Sequence, residues 1–180
     1  MAFSKYISLP LFLIFTLTIA FGQGKEDTKN RLFSIKNSCL EINTDKNYKI
    51  VTIDDAEEFL GHATDNGASL KGYYKEDSLK KIIEWVGLSN KIVQNEYYFE
   101  KGKLIFVYST ESRYKYNDSL QTFDYSKLEL FFTGRYYFYN EKLFITIING
   151  KKNNSTKQEE AIDFLESTKQ YIKLLKAKRP

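Results

Sequence analysis

The last stretch of the chain has the clearest pattern of apolar and polar positions. Ala161, Leu165, Thr168, Ile172 and Leu175 recur at spacings of four, three, four and three, and Phe164, Tyr171 and Leu174 widen that stripe. This spacing lines one face of a helix and predicts a C-terminal helix over about 156–177. A second stripe, Leu32, Ile35, Cys39 and Ile42, predicts a helix over 26–43. Tyr48 to Ile53 reads as a strand. A short helix then follows, capped by Asp54, with Glu57 and Glu58 in its first turn, where carboxylates suit the dipole. Thr64-Asp65-Asn66-Gly67 is a turn.

Beyond that turn the periodicity switches from helical to alternating. Three segments resemble one another: Gly72-Tyr73-Tyr74 leading to Leu79-Lys80-Lys81-Ile82, Glu96-Tyr97-Tyr98-Phe99 leading to Lys103-Leu104-Ile105-Phe106, and Arg135-Tyr136-Tyr137-Phe138 leading to Lys142-Leu143-Phe144-Ile145. Each is an aromatic pair, a short polar turn and a return strand, which is a hairpin signal. The copies are unequally spaced, so they form a meander and not a solenoid. Arg113 to Thr122 reads as polar and turn-like, Lys127 to Phe132 as a strand, and Thr133-Gly134 as a bulge or tight turn. The expected fold is α+β: an antiparallel sheet of six to eight strands built of related hairpins, flanked by an N-terminal and a C-terminal helix.

Strand alternation then sorts the tyrosines. Neighbours on a strand point to opposite faces, so Tyr74, Tyr97 and Tyr136 share one face and Tyr73, Tyr98 and Tyr137 the other. The first face is core. The second mixes tyrosine with charge and with Ile105, Val107, Phe144 and Ile148. Either the N-terminal helix covers it or it is an exposed binding surface, with Tyr73, Tyr98, Tyr137 and Tyr139 as the candidate contact residues.

The first residues read as targeting. Lys5 precedes an apolar run from Leu9 to Phe21, and Ala20-Phe21-Gly22 offers small residues where a signal peptidase reads, with Gln23 as the new N-terminus. The run is shorter than the about 20 residues of a membrane-spanning helix. The division is therefore a signal peptide over 1–22 and one globular domain over 23–180, exported to the periplasm or secreted, with no stable membrane span after signal removal. The net charge of +4 includes Lys5, and it is too small to imply a polyanion partner. The basic cluster Lys173, Lys176, Lys178 and Arg179 complements the dipole of the last helix, so no nucleic-acid partner is expected.

Composition removes most chemistry. Cys39 is the single cysteine, so no internal disulfide staples the fold, and it falls on the core-facing stripe. His62 is the single histidine, too little for a zinc site, and no nucleophile motif accompanies it. Asp54-Asp55-Ala56-Glu57-Glu58 lacks the alternating ligands of a calcium loop and reads as a helix start. No glycine-rich phosphate loop occurs, and no cofactor is expected. The leading expectation is a non-enzymatic interaction module that binds a protein, peptide or glycan. The alternatives are a cell-envelope hydrolase working through scattered carboxylates, and a structural accessory of an envelope complex.

The repeated Tyr-Tyr-Phe and Lys-Leu hairpins, together with Leu79 to Ser89 and Gly134 to Phe138, resemble uncharacterised exported proteins of Bacteroidota-type bacteria. The hairpins are also weakly similar to MORN-type repeats, though most of the marking glycines are missing. The first resemblance implies export and no particular activity. Asp77-Ser78-Leu79 and Asp118-Ser119-Leu120 are similar to the Asp-Ser/Thr-aliphatic sites that such bacteria O-glycosylate, which makes Ser78 and Ser119 candidate modification sites.

Overall fold

A computed structural model describes residues 15–150 and 156–179, with side chains from Glu26 onward. The proposed signal peptide lies largely outside the described residues, and its cleavage positions, Gly22 and Gln23, precede the described side chains. The chain divides into two compact units, residues 1–37 and 38–180. One helix, α1 (Phe15–Thr44), runs from the first into the second and is longer than its apolar stripe predicts. Within the first unit Arg31 reaches back one turn to Asp27 at 3.7 Å, an exposed pair of the kind worth about 0–1 kcal/mol.

The second unit is an α+β fold around one seven-stranded antiparallel sheet. Its strands are β1 (Lys49–Ile53), β2 (Ala68–Lys75), β3 (Ser78–Gly87), β4 (Lys91–Glu100), β5 (Lys103–Asn117), β6 (Thr122–Tyr139) and β7 (Lys142–Gly150). Each pairs with its neighbour in sequence, so the sheet is a pure meander. Helix α2 (Ala56–Leu60) follows β1, and α3 (Lys157–Lys178) ends the fold. The cap of α2 is Asp55, not Asp54: its Oδ1 accepts the Glu57 N–H at 3.0 Å. Thr156 and Glu159 form a reciprocal capping box that starts α3 where the stripe predicts.

The three related hairpins share one construction. Lys75 faces Ser78, Glu100 faces Lys103 and Tyr139 faces Lys142 across two-residue turns. Positive φ at Lys101 and Gly102, and at Asn140 and Glu141, gives the twist that matches paired strands. One step inward, Tyr74 faces Leu79, Phe99 faces Leu104 and Phe138 faces Leu143. The register then slips in all three, leaving Lys80, Ile105 and Phe144 as the extra residues of equivalent bulges.

Structural equivalence places Gly72 where the other hairpins carry Tyr97 and Tyr136. A Cβ on Gly72 would lie 2.9 Å from Leu175 Cδ1, so a leucine of α3 occupies the space that a tyrosine fills elsewhere. Val51, Ile53, Leu70, Tyr74, Ile82, Tyr97, Phe99, Val107, Tyr136 and Phe138 form the core with Ala161, Phe164, Tyr171 and Leu175 of α3. The centre of the α3 stripe is thus Phe164 and Tyr171, with Leu165 and Ile172 packed at its margin.

Two further sequence expectations need correction. Arg113 to Asn117 is strand, not turn, and the loop is confined to residues 118–121. Alternation of Tyr114 and Tyr116 with Arg113 and Lys115 gives this polar stretch a strand's period. Gly134 lies inside β6, opposite Ser109 and Ile148, and is no turn. The bulge sits at Phe131 instead. Gly134 is required because a Cβ there would lie 2.5 Å from Cε2 of Tyr136, whose ring covers it.

Candidate functional site

The alternation holds for the tyrosines: Tyr74, Tyr97 and Tyr136 face α3, and the tyrosines next to them face the other way. Val107, expected on the second face, lies in the α3 core opposite Tyr97 and Tyr136, because the bulge at Ile105 shifts the return strand by one residue. Exposure decides what each tyrosine can meet. Tyr98 and Tyr137 are only 3% exposed, so a partner cannot reach those two candidate contact residues. The last turns of α1, within the second unit, lie over them. The Tyr98 hydroxyl donates its proton to Glu96 Oε2 at 2.6 Å, and the side-chain amide of Asn43 lies 3.1 Å from it. Lys81 Nζ donates to the same two groups, at 2.6 and 3.0 Å. Phe106 packs between Tyr98 and Tyr137 with centroids at 5.5 and 4.8 Å. Tyr73 is half-buried against the edge of Tyr48, and Tyr139 is 43% exposed.

Burial lifts the Cys39 thiol to about 12, against the opposing pull of Lys81. Cys39 is free, buried and inert by this measure. His62 is exposed after α2, with Nδ1 2.9 Å from the Ala63 carbonyl oxygen. No catalytic pair joins them.

The buried carboxylates are engaged structurally. Glu84 accepts hydroxyl protons from Tyr97 and Tyr171, both at 2.8 Å, and an amide proton of Asn95 at 2.9 Å. Glu160 accepts from Tyr136. Burial first, and Glu84 second, push the Tyr97 and Tyr171 hydroxyls well above their ordinary range, so they stay protonated donors. Glu111 takes Arg113 Nε at 2.6 Å and Lys91 Nζ at 3.0 Å. Burial alone would raise its carboxyl, and these two cations outweigh it and hold the group low.

Two clefts remain. One, of about 200 Å³, is lined by Ser38, Glu41, Asp45, Lys75, Lys80 and Glu100 among others. It falls below the roughly 300–1,000 Å³ of a small-molecule site. Its Asp45 is bound to Lys75, and its Glu100 accepts from Ser38 at 3.3 Å. The other, about 450 Å³, lies between β7 and the start of α3 and is lined by no carboxylate. Among the described residues no group of three or more His, Cys, Asp or Glu could hold a metal ion. No described helix is long and apolar enough to cross a membrane.

A contiguous exposed apolar face lies elsewhere. β4 begins opposite Arg113, and β7 ends opposite Phe132. Tyr114 to Phe131 therefore continue past both neighbours as a two-stranded ribbon closed by the loop at 118–121. Leu130 faces Ser112 and Leu128 faces Tyr114, so both leucines share the face of Tyr114 and Tyr116. Leu130 is 63%, Tyr125 57%, and Leu128 and Tyr116 each 43% exposed. The Tyr114–Tyr125 and Tyr116–Phe123 rings meet edge-on, at 4.9 and 5.2 Å, which stiffens the ribbon. The opposite face carries charge: Arg113 stacks on Phe131 at 3.4 Å, and Lys115 pairs across to Asp124.

Sequence reasoning assigned this ribbon no binding role. The available signal was Tyr114 and Tyr116 in step with Leu128 and Leu130, which is apolar alternation on a segment with too few partners to bury it. Ser119 lies exposed at the ribbon's tip, in a loop held by Asn117 Oδ1 accepting the N–H groups of Ser119 and Leu120 at 3.1 and 3.2 Å. Ser78 is exposed beside the first hairpin turn. No family model, curated protein or solved structure matches the chain.

Proposed function

We propose that the chain is an exported, non-enzymatic interaction module that binds a protein, peptide or glycan through the apolar face of the β5–β6 ribbon. The carrying observation is the run Leu128, Leu130 and Tyr116, exposed together on one face of a projecting ribbon whose other face is charged, with the exposed Tyr125 of the irregular stretch 125–127 set edge-on against Tyr114 of the same face. Exposed apolar patches rimmed by polar residues characterise interaction surfaces. Tyrosine serves such surfaces well, because it offers large contact area at low conformational cost and suits both protein side chains and sugar rings. The engagement of Glu84, Glu96, Glu111 and Glu160 by neighbouring side chains supports binding over hydrolysis.

The test compares the exported protein with its Leu128→Ser/Leu130→Ser variant in capture from envelope extract and on a glycan array. A stoichiometric partner or sugar retained by the parent and lost by the variant, at unchanged melting temperature, is the expected result. Equal retention by both, or none by either, overturns the reading. Intact mass settles export separately: the mature chain begins at Gln23, with added sugar mass if Ser78 or Ser119 is modified. A mass that includes residues 1–22 contradicts processing.

A further inference from the structure

The last turns of α1 lie over Tyr98 and Tyr137, and beyond them the cross-strand register lays out two further rows on the same face. Thr52, Lys71, Ile83, Glu96, Tyr108, Arg135 and Ile147 stand side by side across all seven strands. In the next row Ser69, Trp85, Gln94, Thr110, Thr133 and Asn149 do the same from β2 to β7. Gln94 and Glu96 are in step with Tyr98 along β4, so both rows share its face. Except for Thr133, none of these residues is buried.

Trp85 gives the second row its shape. A Cβ on Gly87 would lie 2.9 Å from Trp85 Cη2, so the indole reaches along the strand into space that the glycine leaves open. The half-exposed ring therefore lies along the sheet and presents a flat apolar surface. Its neighbours in the row are neutral hydrogen-bonding side chains. Gln94 donates to Glu96 at 3.1 Å and Thr110 to the Gln94 carbonyl at 3.4 Å, and both keep further hydrogen-bonding capacity. Charge comes from the first row. Lys81 neutralises Glu96 at 2.6 Å, the one carboxylate in the two rows. Lys71 and Arg135 form no ion pair among the described residues, and the Arg135 guanidinium lies 5.1 Å over the Tyr108 ring. These two cations stand four strand spacings apart, roughly 19 Å.

We infer that this open half-face binds a linear glycan running across the strands, with acidic groups spaced among neutral sugar units. Trp85 takes the apolar face of a sugar ring, whose electropositive C–H groups are drawn to the negative face of the indole. The neutral row meets sugar hydroxyls, which both donate and accept, as its own side chains do. Lys71 and Arg135 take the acidic groups, Arg135 through the planar fork that fits a carboxylate. Two uncompensated cations over that length match sparse acids and not the dense phosphates of a nucleic acid. A protein partner fits less well. Protein interfaces are built on clustered apolar and aromatic anchors, and Trp85 stands in its row among five neutral polar residues. The surface is separate from Leu128 and Leu130 of the ribbon, so each can fail without the other.

Trp85 is the chain's single tryptophan, so its fluorescence reports on this surface directly. The exported protein is titrated with hyaluronan and glucuronoxylan oligosaccharides, in which acids are interspersed with neutral units, and with their carboxyl-reduced forms. Heparin and double-stranded DNA serve as densely charged polymers. Trp85 emission should change saturably with at least one acidic oligosaccharide, and its carboxyl-reduced form should bind about tenfold more weakly. Lys71→Gln and Arg135→Gln should each weaken binding by about tenfold, and Trp85→Ala, followed by calorimetry, should abolish it. The two charge variants alter half-exposed side chains, so they give a readout even if Trp85→Ala fails to fold. Leu128→Ser/Leu130→Ser should bind these glycans as the parent does. Loss of binding in that ribbon variant overturns the inference and assigns the glycan to the ribbon. Equal affinity for acidic and reduced forms, tighter binding of heparin or DNA than of any oligosaccharide, or no saturable change with any of them also overturns it.

Discussion

Gly72 and Leu175 are complementary: the side chain that one lacks is the space that the other fills. Leu175 is fully buried, and its Cδ1 would stand 2.9 Å from a Cβ on Gly72. Gly72→Ala therefore overpacks the contact and should cost about 1–3 kcal/mol. Leu175→Ala should cost about 2–5 kcal/mol, because α3 cannot collapse onto a backbone already close to it. Combining the two should cost less than their sum, since the new methyl enters the space the leucine leaves. Denaturant unfolding of the four proteins measures the coupling, and strict additivity would show that the two sites do not share this space.

The tyrosines give a second test. Tyr97 and Tyr136 face α3, Tyr98 and Tyr137 lie under the last turns of α1, and all four are 3% exposed or less. Truncating a buried aromatic to alanine costs about 3–5 kcal/mol, so all four variants should melt far below the parent. Tyr139→Ala, at a site 43% exposed, should cost less than any of the four. If Tyr98→Ala and Tyr137→Ala melt like the parent, the second face of the sheet is open and belongs to a partner after all.

That outcome bears on what the residues make legible. Alternation sorted the tyrosines onto two faces, and helical spacing placed α3, because both follow from local geometry. Whether Cys39, Ile42 and Asn43 come to rest over Tyr98 depends on where the chain turns after Asn47, which no local period encodes. The ribbon stayed hidden for a related reason. Tyr114, Tyr116, Leu128 and Leu130 alternate as strand residues do, yet their exposure follows from where β4 starts and β7 ends, not from anything within the ribbon. The buried carboxylates were equally opaque. Glu84 and Glu160 are ordinary in sequence and become core residues only because Tyr97, Tyr171 and Tyr136 offer hydroxyls to them.

Cys39 should behave as a small core residue. With its thiol lifted to about 12 by burial, almost no thiolate exists at neutral pH. Native protein should resist alkylation until it unfolds. Cys39→Ser should be less stable than Cys39→Ala, because a hydroxyl buried without a partner costs about 1–3 kcal/mol. Fast labelling of the native chain would place the thiol at the surface.

Glu96 should make stability fall on the acid side. Burial by itself would raise its carboxyl, but the Lys81 and Tyr98 hydrogen bonds outweigh burial and hold it below its ordinary 4.5. The unfolded chain therefore binds the proton more tightly than the folded one. The contribution of Glu96 is fully present above about pH 4.5 and disappears as pH falls through the lower folded value. Glu96→Gln should melt below the parent at neutral pH, where Lys81 loses its buried counter-charge. The gap should narrow as pH drops below 4.5, once the parent's own carboxyl takes up a proton. Other carboxylates held low, Glu111 among them, titrate in both proteins and cancel from that difference. Melting curves of the two proteins at matched ionic strength from neutral pH downward read it directly. A gap that stays constant would mean that Glu96 acts through shape and hydrogen bonding alone, with no contribution from its charge.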